Sequence, residues 1–415
     1  MNVLVQKFGG NSLAEPEQVR QVAELIERRW ADGDSPVVVV SAQGDTTDEL
    51  LAMAGGFGAD NARELDQLLS TGETASAAVM ALALSARGVP AVSLAGQQVG
   101  ISTVGAPGAS TISGVDPERI LSHLQQRSVV VVAGFQGVDG SGDLRTLGRG
   151  GSDTTAVALA VALGAPVCEI YTDVNGVHTA DPRVVANAAV LPSVPPEVMS
   201  EMAVSGARVL HSRAVELAAA NEITISVKNF SNSAPGTIVP GRRESILEDH
   251  GFIFAVTHLP HTPQIIVRGG EHGKDLGEIL LELLSERFVP VDFIAWSAGG
   301  AGEMSTGVTV HHDWLPAAEK VLSEAAGRLG IDYWVNTELA TVSLVGTGLL
   351  NRPGHISRML RTLARLGIAA EGVTVTQSRA SVLVAQKRVA QATAAIHEEF
   401  GLDSTDSAMT SMAAT

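Results

Sequence analysis

Residues 133–183 read AGFQGVDGSGDLRTLGRGGSDTTAVALAVALGAPVCEIYTDVNGVHTADPR. Within it, Gly148-Arg149-Gly150-Gly151-Ser152-Asp153-Thr154-Thr155 places three glycines and a capping Ser or Asp at the mouth of a helix predicted over Asp153–Leu163. Free N–H groups at such an end bind anions, and Arg149 adds a planar fork suited to a carboxylate. Asp153 alone could equally be a plain N-cap, and spacing leaves both readings open. The run is not a Walker loop, because no Gly-Lys-Ser or Gly-Lys-Thr follows, and it lacks the dinucleotide glycine pattern. Val167–Tyr171 then reads as a strand, and Tyr171–Arg183 as a loop dense in turn formers. That loop could contact a ribose and a base, or be only polar.

The same alternation extends towards the N-terminus. Val3–Val5 leads into a turn at Gly9-Gly10, and Val19, Val22, Ile26 and Trp30 form a helical stripe with Pro16 suited to its first turn. Val37–Val40 is an apolar run of the kind buried on both sheet faces. A long helix is predicted around Leu65–Ser85, with further strands at Pro90–Leu94 and Val129–Val132. Strands and helices in alternation predict a mostly parallel open sheet covered by helices.

Three more loops carry chemistry. Lys7-Phe8-Gly9-Gly10-Asn11-Ser12 puts a lysine at a strand end beside two glycines, which suits a phosphoryl group gaining negative charge, or an ordinary turn with a solvent lysine. Ser41-Ala42-Gln43-Gly44-Asp45-Thr46-Thr47-Asp48 follows the valine strand, where open sheets bind ligands, though a capped loop reads the same way. In Ser70-Thr71-Gly72-Glu73-Thr74, Glu73 could hold an ammonium or be a first-turn helix acid.

Beyond about residue 240 the pattern changes. Pro235-Gly236-Thr237-Ile238-Val239-Pro240-Gly241 with the charged residues after it reads as a connector. Then a strand–helix–strand–strand–helix order occurs twice, close to a βαββαβ unit: Ile265–Val267, Leu276–Leu284, Val289–Ala295, Gly307–Val310 and Leu315–Leu329, then Val342–Val345, Ile356–Leu366, Ile368–Val375, Ala380–Val384 and Val389–Phe400. The expected division is residues 1–240, 250–335 and 336–403, with a disordered tail over 404–415.

Composition narrows the function classes. The formal net charge is -17 over 415 residues with no basic run, which argues against nucleic-acid and anionic-membrane partners. Cys168 is the one cysteine, so no internal disulfide can form. No apolar uncharged run approaches a bilayer span, and a cytoplasmic location is expected. His250, His258, His261, His311 and His312 show no metal-ligand spacing, and no metal site is expected. Cys168 reads as a core residue, and Trp296 and Trp314 as packing residues.

Taken in order, these motifs resemble the aspartate kinase family, whose pattern runs KxGG(T/S)S, SAxGxTT, STGE, LGRGGSDTTA and Y(T/S)DVDGVYTADPR before a pair of ACT domains. The resemblance implies an amino-acid kinase fold followed by two ACT-like domains, and ATP-dependent phosphorylation of the β-carboxylate of L-aspartate at the head of lysine, threonine and methionine synthesis. It also implies Lys7 and Asp153 as catalytic, and Thr47, Glu73, Arg149, Gly150, Gly151 and Ser152 as substrate-binding. ATP would meet Lys7, Phe8, Gly9, Gly10, Ser41, Thr172, Asp173, His178 and Arg183, with Mg²⁺ carried on its phosphates. Asn351, Pro353 and Gly354 would lie at an amino-acid effector site, and the ACT-like domains would pair chains into a homodimer or higher assembly.

The chain departs from the family at Asn11, at His178 in place of tyrosine, and at His211-Ser212-Arg213, which lacks a proline. Lys228 is a further candidate facing phosphate. Changes at Val267–Gly273, Phe293–Trp296 and Thr374–Gln377 imply altered feedback by lysine or threonine. The competing readings are a sibling such as glutamate 5-kinase, a nucleotide-monophosphate kinase, or a silent regulatory subunit.

Overall fold

The computed structural model describes residues 1–57, 61–241, 252–269, 276–285, 287, 289–298 and 304–404. The chain divides into two compact units, Met1–His178 with Val190–Leu247, and Thr179–Ala189 with Glu248–Thr415. The tail expectation falls on residues 405–415 and lies outside the described residues, as do His250 and the turn after Gly269.

The first unit is built on a seven-stranded sheet in the order Thr237–Val239, Thr224–Asn229, Val167–Thr172, Val3–Phe8, Ser35–Val40, Val129–Ala133, Ala91–Leu94. All neighbours pair in parallel except the edge strand Thr237–Val239. That strand lies in the stretch read as a connector. Its antiparallel pairing with Ile225–Val227 shows that this stretch still belongs to the sheet. Val37–Val40 and Val129–Val132 are fully buried, as strands covered on both faces must be. Helices Pro16–Ala31 and Ala62–Ala86 share a core cluster with one face: Val22, Ile26, Met80 and Leu84 meet Val38, Val40, Val129 and Val131. Helix Gly151–Leu163 packs against Val3–Phe8 and Val167–Thr172 and is buried all round over its first ten residues, matching a sequence with no polar stripe.

A second sheet of four short strands, Thr111–Val115, Ile101–Val104, Gln136–Val138 and Leu144–Thr146, was not foreseen, because three to five residues carry too little periodicity. Helix Ala62–Ala86 is long and apolar enough to cross a membrane by length and composition alone. Half of its most apolar window is buried within the protein, and it carries buried Asp66 and Glu73. It is a core helix.

The second unit holds two four-stranded sheets of the same order. The first runs Val291–Ala298, Met304–Val310, Gln264–Gly269, Ile331–Asn336, and completes a βαββαβ unit with helices Leu276–Ser285 and Leu315–Leu329. The second runs Gly372–Val375, Arg379–Ala385, Leu339–Gly346, Ile253–Leu259, with helices Pro353–Arg365 and Val389–Glu399. Its closing strand therefore comes from before the first copy. The span 250–335 had been assigned whole to the first copy. Instead, Ala255–Leu259 pairs with Thr341–Val345, and the first copy is an insertion within the second. The reason is geometric: Leu339–Gly346 would otherwise present a bare edge, and the preceding strand covers it.

Segment Thr179–Ala189 belongs to this second unit. Thr179 anchors it: its hydroxyl donates to the carbonyl of Leu402 (2.9 Å), meets His397 Nε2 at 2.9 Å, and accepts from the Ala189 N–H at 3.0 Å.

Candidate active site

Parallel strands end on one side of a sheet, so the loops after Phe8, Val40, Ala133, Thr172 and Asn229 converge there. Four of the five sequence motifs are those loops or border them, and the fifth, around Glu73, sits on helix Ala62–Ala86 behind the Ala42 turn.

Lys7 lies one residue from the end of its strand, and its ammonium meets Asp153 Oδ1 at 2.6 Å, both side chains nearly buried. Asp153 stands in the first turn of helix Gly151–Leu163, where the N–H dipoles favour a carboxylate. A buried lysine is costly without a partner, and Asp153 supplies one while fixing the direction of the ammonium. Gly9 and Gly10 follow. A Cβ on Gly10 would fall 2.7 Å from the Ala42 carbonyl, so glycine is the only residue that lets these two turns touch. The contact is locked by the Gly44 N–H on the Gly10 carbonyl (3.1 Å) and Gln43 Nε2 on the Leu13 carbonyl (2.9 Å). A Cβ on Gly9 would lie 3.6 Å from Lys7 Nζ, so the missing side chain leaves the approach to the ammonium open.

Glu73 is 4% exposed and accepts a hydrogen bond from the Ala42 N–H (3.2 Å), while its Oε2 is buried with no partner. Burial pushes its carboxyl up from 4.5 to about 7. A half-satisfied buried carboxylate is a receptor for a cation. Gly72 before it permits the approach, since a Cβ there would lie 2.9 Å from the Ala42 side chain. Thr47 is partly buried in the first turn of helix Thr46–Gly55, and Ser41 donates its N–H to the Phe8 carbonyl (3.2 Å).

In the glycine-rich loop, Gly148 (φ +71°) and Gly150 (φ +69°) are left-handed and flank the exposed Arg149. Ser152 is 8% exposed beside Gly134, where a Cβ would come 2.8 Å from its hydroxyl. On the far side, Thr172 Oγ1 donates to Asp173 Oδ1 (3.1 Å) and Asn11 Nδ2 to Asp173 Oδ2 (3.3 Å), so Asn11 supplies a donor where the family has a hydroxyl. His178 turns its Nδ1 onto the Gly176 carbonyl (3.1 Å).

Two residues assigned to the nucleotide from the sequence have local partners of their own. The Phe8 side chain is fully buried and stacked on Tyr171, centroids 4.7 Å apart, so it is part of the core and only its backbone borders the loops. Arg183 belongs to the second unit and pairs with Asp181 at 2.7 Å, two residues before it, as a turn cation does. Lys228 faces Glu169 at 2.5 Å. Burial raises the Glu169 carboxyl, but Lys228, helped by Gln6 Nε2 (2.9 Å) and the Tyr171 hydroxyl (3.0 Å), outweighs it and holds it below the usual carboxylate range. Asp66, His211 and Arg213 also support the site; the sequence marked His211 and Arg213 only as a departure from the family pattern, and Asp66 not at all. The only physical signal was polar residues on otherwise apolar helix faces. Among the described residues no group of three or more His, Cys, Asp or Glu side chains is placed to hold a metal ion.

Such a site presents a buried ammonium paired with Asp153, an exposed guanidinium and, in Glu73, a buried carboxylate with one unpartnered oxygen around glycine turns. It suits a zwitterionic acid beside a polyanion. The model of the amino acid kinase family matches residues 2–229, and that of an ACT domain matches residues 342–400. An aspartokinase of Mycolicibacterium smegmatis is 39% identical over 414 residues, covering 99% of this chain and 98% of that protein. The chain belongs to the aspartokinase family. Another member, from Geobacillus stearothermophilus, is 38% identical over 97% of this chain and 98% of its own. The fold agrees with that of Escherichia coli aspartokinase III, solved with aspartate and ADP in its R-state, at a TM-score of 0.79 and 23% identity, covering 96% of this chain and all of that one. The aspartate kinase of Synechocystis matches at a TM-score of 0.54 and 35% identity, over 96% of this chain and 69% of that one.

Proposed function

We propose that this family member transfers the γ-phosphoryl group of ATP to the β-carboxylate of L-aspartate, forming 4-phospho-L-aspartate and ADP. The observation that carries the reading is the Lys7–Asp153 pair at the strand tip, flanked by two glycines and by the loop that bears Arg149. A carboxylate is ionised at neutral pH and needs no general base, so catalysis reduces to holding two anions in line and offsetting their repulsion.

The roles follow from the chemistry of each group. Lys7 meets the transferring phosphoryl and Asp153 aims it. Gly9, Gly10, Ser41, Thr172, Asp173 and His178 border the nucleotide. Arg149, with the N–H groups of Gly150 and Gly151, takes the α-carboxylate, Glu73 the α-ammonium, and Thr47 and Ser152 line the reacting end. Glu73 and Arg149 match an amino acid, which argues against a nucleotide-monophosphate acceptor. Mg²⁺ fits as a companion of the phosphates, held by their oxygens and water. It would screen charge on ATP, while this chain's residues do the positioning.

The second unit serves regulation. Its two sheets suit an amino-acid effector. Asn351, Pro353 and Gly354, all exposed at the start of helix Pro353–Arg365, are the candidate contact. Escherichia coli aspartokinase III has been solved with lysine and aspartate in its T-state. The altered residues at Thr374–Gln377 favour a changed response to lysine or threonine. Pairing of the ACT-like sheets would make a homodimer or larger assembly, and the enzyme would work in the cytoplasm on ATP and aspartate. The domain limits we assign are 1–240 for catalysis, apart from the segment Thr179–Ala189 that belongs to the second unit, with a regulatory pair beyond it.

A hydroxamate assay with ATP and aspartate tests the reading. Acyl-hydroxamate formed from aspartate supports it. Turnover of glutamate instead, or no turnover by folded protein, refutes it. Adding lysine and threonine singly and together tests the regulatory part, and strong inhibition by either would overturn the altered response.

A further inference from the structure

The loop bearing Arg149 is gripped by a helix to which the reaction gives no role. Helix Ser212–Ala220 is capped by His211, whose ring accepts from the Arg213 N–H (3.4 Å). His211 packs so tightly on Gly150 that a Cβ there would fall 2.1 Å from its ring Cγ. Arg213 reaches two carbonyls, donating from Nη1 to Leu147 (2.5 Å) and from Nη2 to Ser110 (3.3 Å). Leu147 is fully buried and stands two residues before Arg149.

These bonds continue towards Glu73. The Ser110 N–H donates to the Thr146 carbonyl (3.2 Å), and the Thr146 hydroxyl to Asp66 Oδ1 (2.5 Å). Both Asp66 oxygens also receive the Gly108 N–H, at 3.0 and 3.2 Å. Asp66 is 1% exposed and sits about two turns before Glu73 on the same helix face. Arg213, Leu147, Thr146, Asp66 and the helix carrying Glu73 are thus one connected body, with Arg149 at one end and Glu73 at the other.

We propose that Arg213, braced by His211, is a positioning residue for the amino-acid substrate: it sets the spacing between Arg149 and Glu73 without touching the substrate. The inference rests on the reading that Arg149 grips the α-carboxylate. An arginine on a loop with two left-handed glycines would otherwise sample many positions, and fixing it before binding removes that ordering cost. The two bonds leave different nitrogens of one rigid fork, whereas a lysine's donors all leave a single nitrogen on a flexible stem, so lysine would hold the two carbonyls less firmly. Among the described residues, the side-chain bonds of Arg213 go to Leu147 and Ser110 and not to the loops assigned to ATP. Its loss therefore acts on one substrate and spares the other.

The experiment compares KM for aspartate and for ATP in Arg149→Ala, Arg213→Ala and Arg213→Lys enzymes, with thermal melting as the folding control. Arg149→Ala is expected to raise KM for aspartate about a hundredfold. Arg213→Ala should raise it about tenfold or more, with Arg213→Lys in between and KM for ATP unchanged within about twofold in each. If Arg149→Ala weakens aspartate and Arg213→Ala does not, the clamp is refuted and the substrate reading stands. An unchanged KM for aspartate in Arg149→Ala refutes both. Should Arg213→Ala fail to fold, Arg213→Lys decides: an equal rise in both KM values marks a merely structural role and overturns the proposal.

Discussion

Replacing Glu73 by Gln tests the most unusual electrostatic feature of the site. The Glu73 carboxyl is buried, receives one N–H, and titrates at about 7 against 4.5 for a free glutamate. A carboxyl raised from 4.5 to about 7 corresponds to about 3 kcal/mol. The folded value is raised, so this stability is fully present below pH 4.5 and is lost as pH rises through about 7. An α-ammonium binds only the ionised form, and its arrival offsets the cost of the buried charge. Aspartate binding should therefore release a proton below pH 7 and weaken about tenfold per pH unit there. Between pH 8 and pH 5.5 the dissociation constant should rise about thirtyfold, while the substrate's own carboxylates stay ionised. Calorimetric titration of aspartate, with a non-hydrolysable ATP analogue present and in two buffers of different ionisation heat, measures both the affinity and the proton. Glu73→Gln should flatten the profile, weaken binding at pH 8 about a hundredfold, and make the ligand-free enzyme more stable than the parent at pH 8. A wild-type affinity that changes less than about threefold over this range, or a Glu73→Gln enzyme with the parental slope, would refute the reasoning.

Three further outcomes follow from the geometry. Lys7→Ala should cut kcat about a thousandfold with KM for aspartate little changed, read by steady-state kinetics on protein with an unaltered circular dichroism spectrum. Thr179→Val should cost about 1–3 kcal/mol, because the Leu402 carbonyl, His397 Nε2 and the Ala189 N–H lose one shared partner. Hydrogen exchange should speed up at Ala189 first. Cys168 is fully buried, and burial pushes its thiol well above the ordinary range, so iodoacetamide should label it only after denaturation.

Much of this was legible in the sequence. Lys7, Ser41 and Thr172 could be placed on strand ends because short, mostly apolar runs precede them, and the Gly148–Ser152 run could be placed near a helix start, although the N-cap is Gly150 and neither Ser152 nor Asp153 caps the helix. Those signals are local, and the sheet brings them together by parallel pairing alone. Long-range partners carried no such mark. Asp66 and Arg213 are separated by 147 positions, and each looks like a solvent charge until the loops at 105–110 and 146–150 close around them. The burial of Phe8 was not legible from its motif, because alternation along the strand turns its side chain into the core beside Tyr171. Strand Ile253–Leu259 was given to the wrong copy because sequence order favours the nearest partner, and here the bare edge lay about 80 residues on.

Nesting of one regulatory copy inside the other limits how the chain can be cut. A fragment beginning at Leu339 would lack the strand that covers its sheet, and would offer an open row of backbone donors and acceptors to any passing chain. A separately made regulatory piece must start ahead of Ile253 to be whole. Residues 264–336, by contrast, enter and leave through the strands Gln264–Gly269 and Ile331–Asn336, which lie side by side, so this copy can be exchanged for another that still offers a carboxylate to the buried Arg379, as Asp292 does at 2.7 Å, while its host sheet stays closed.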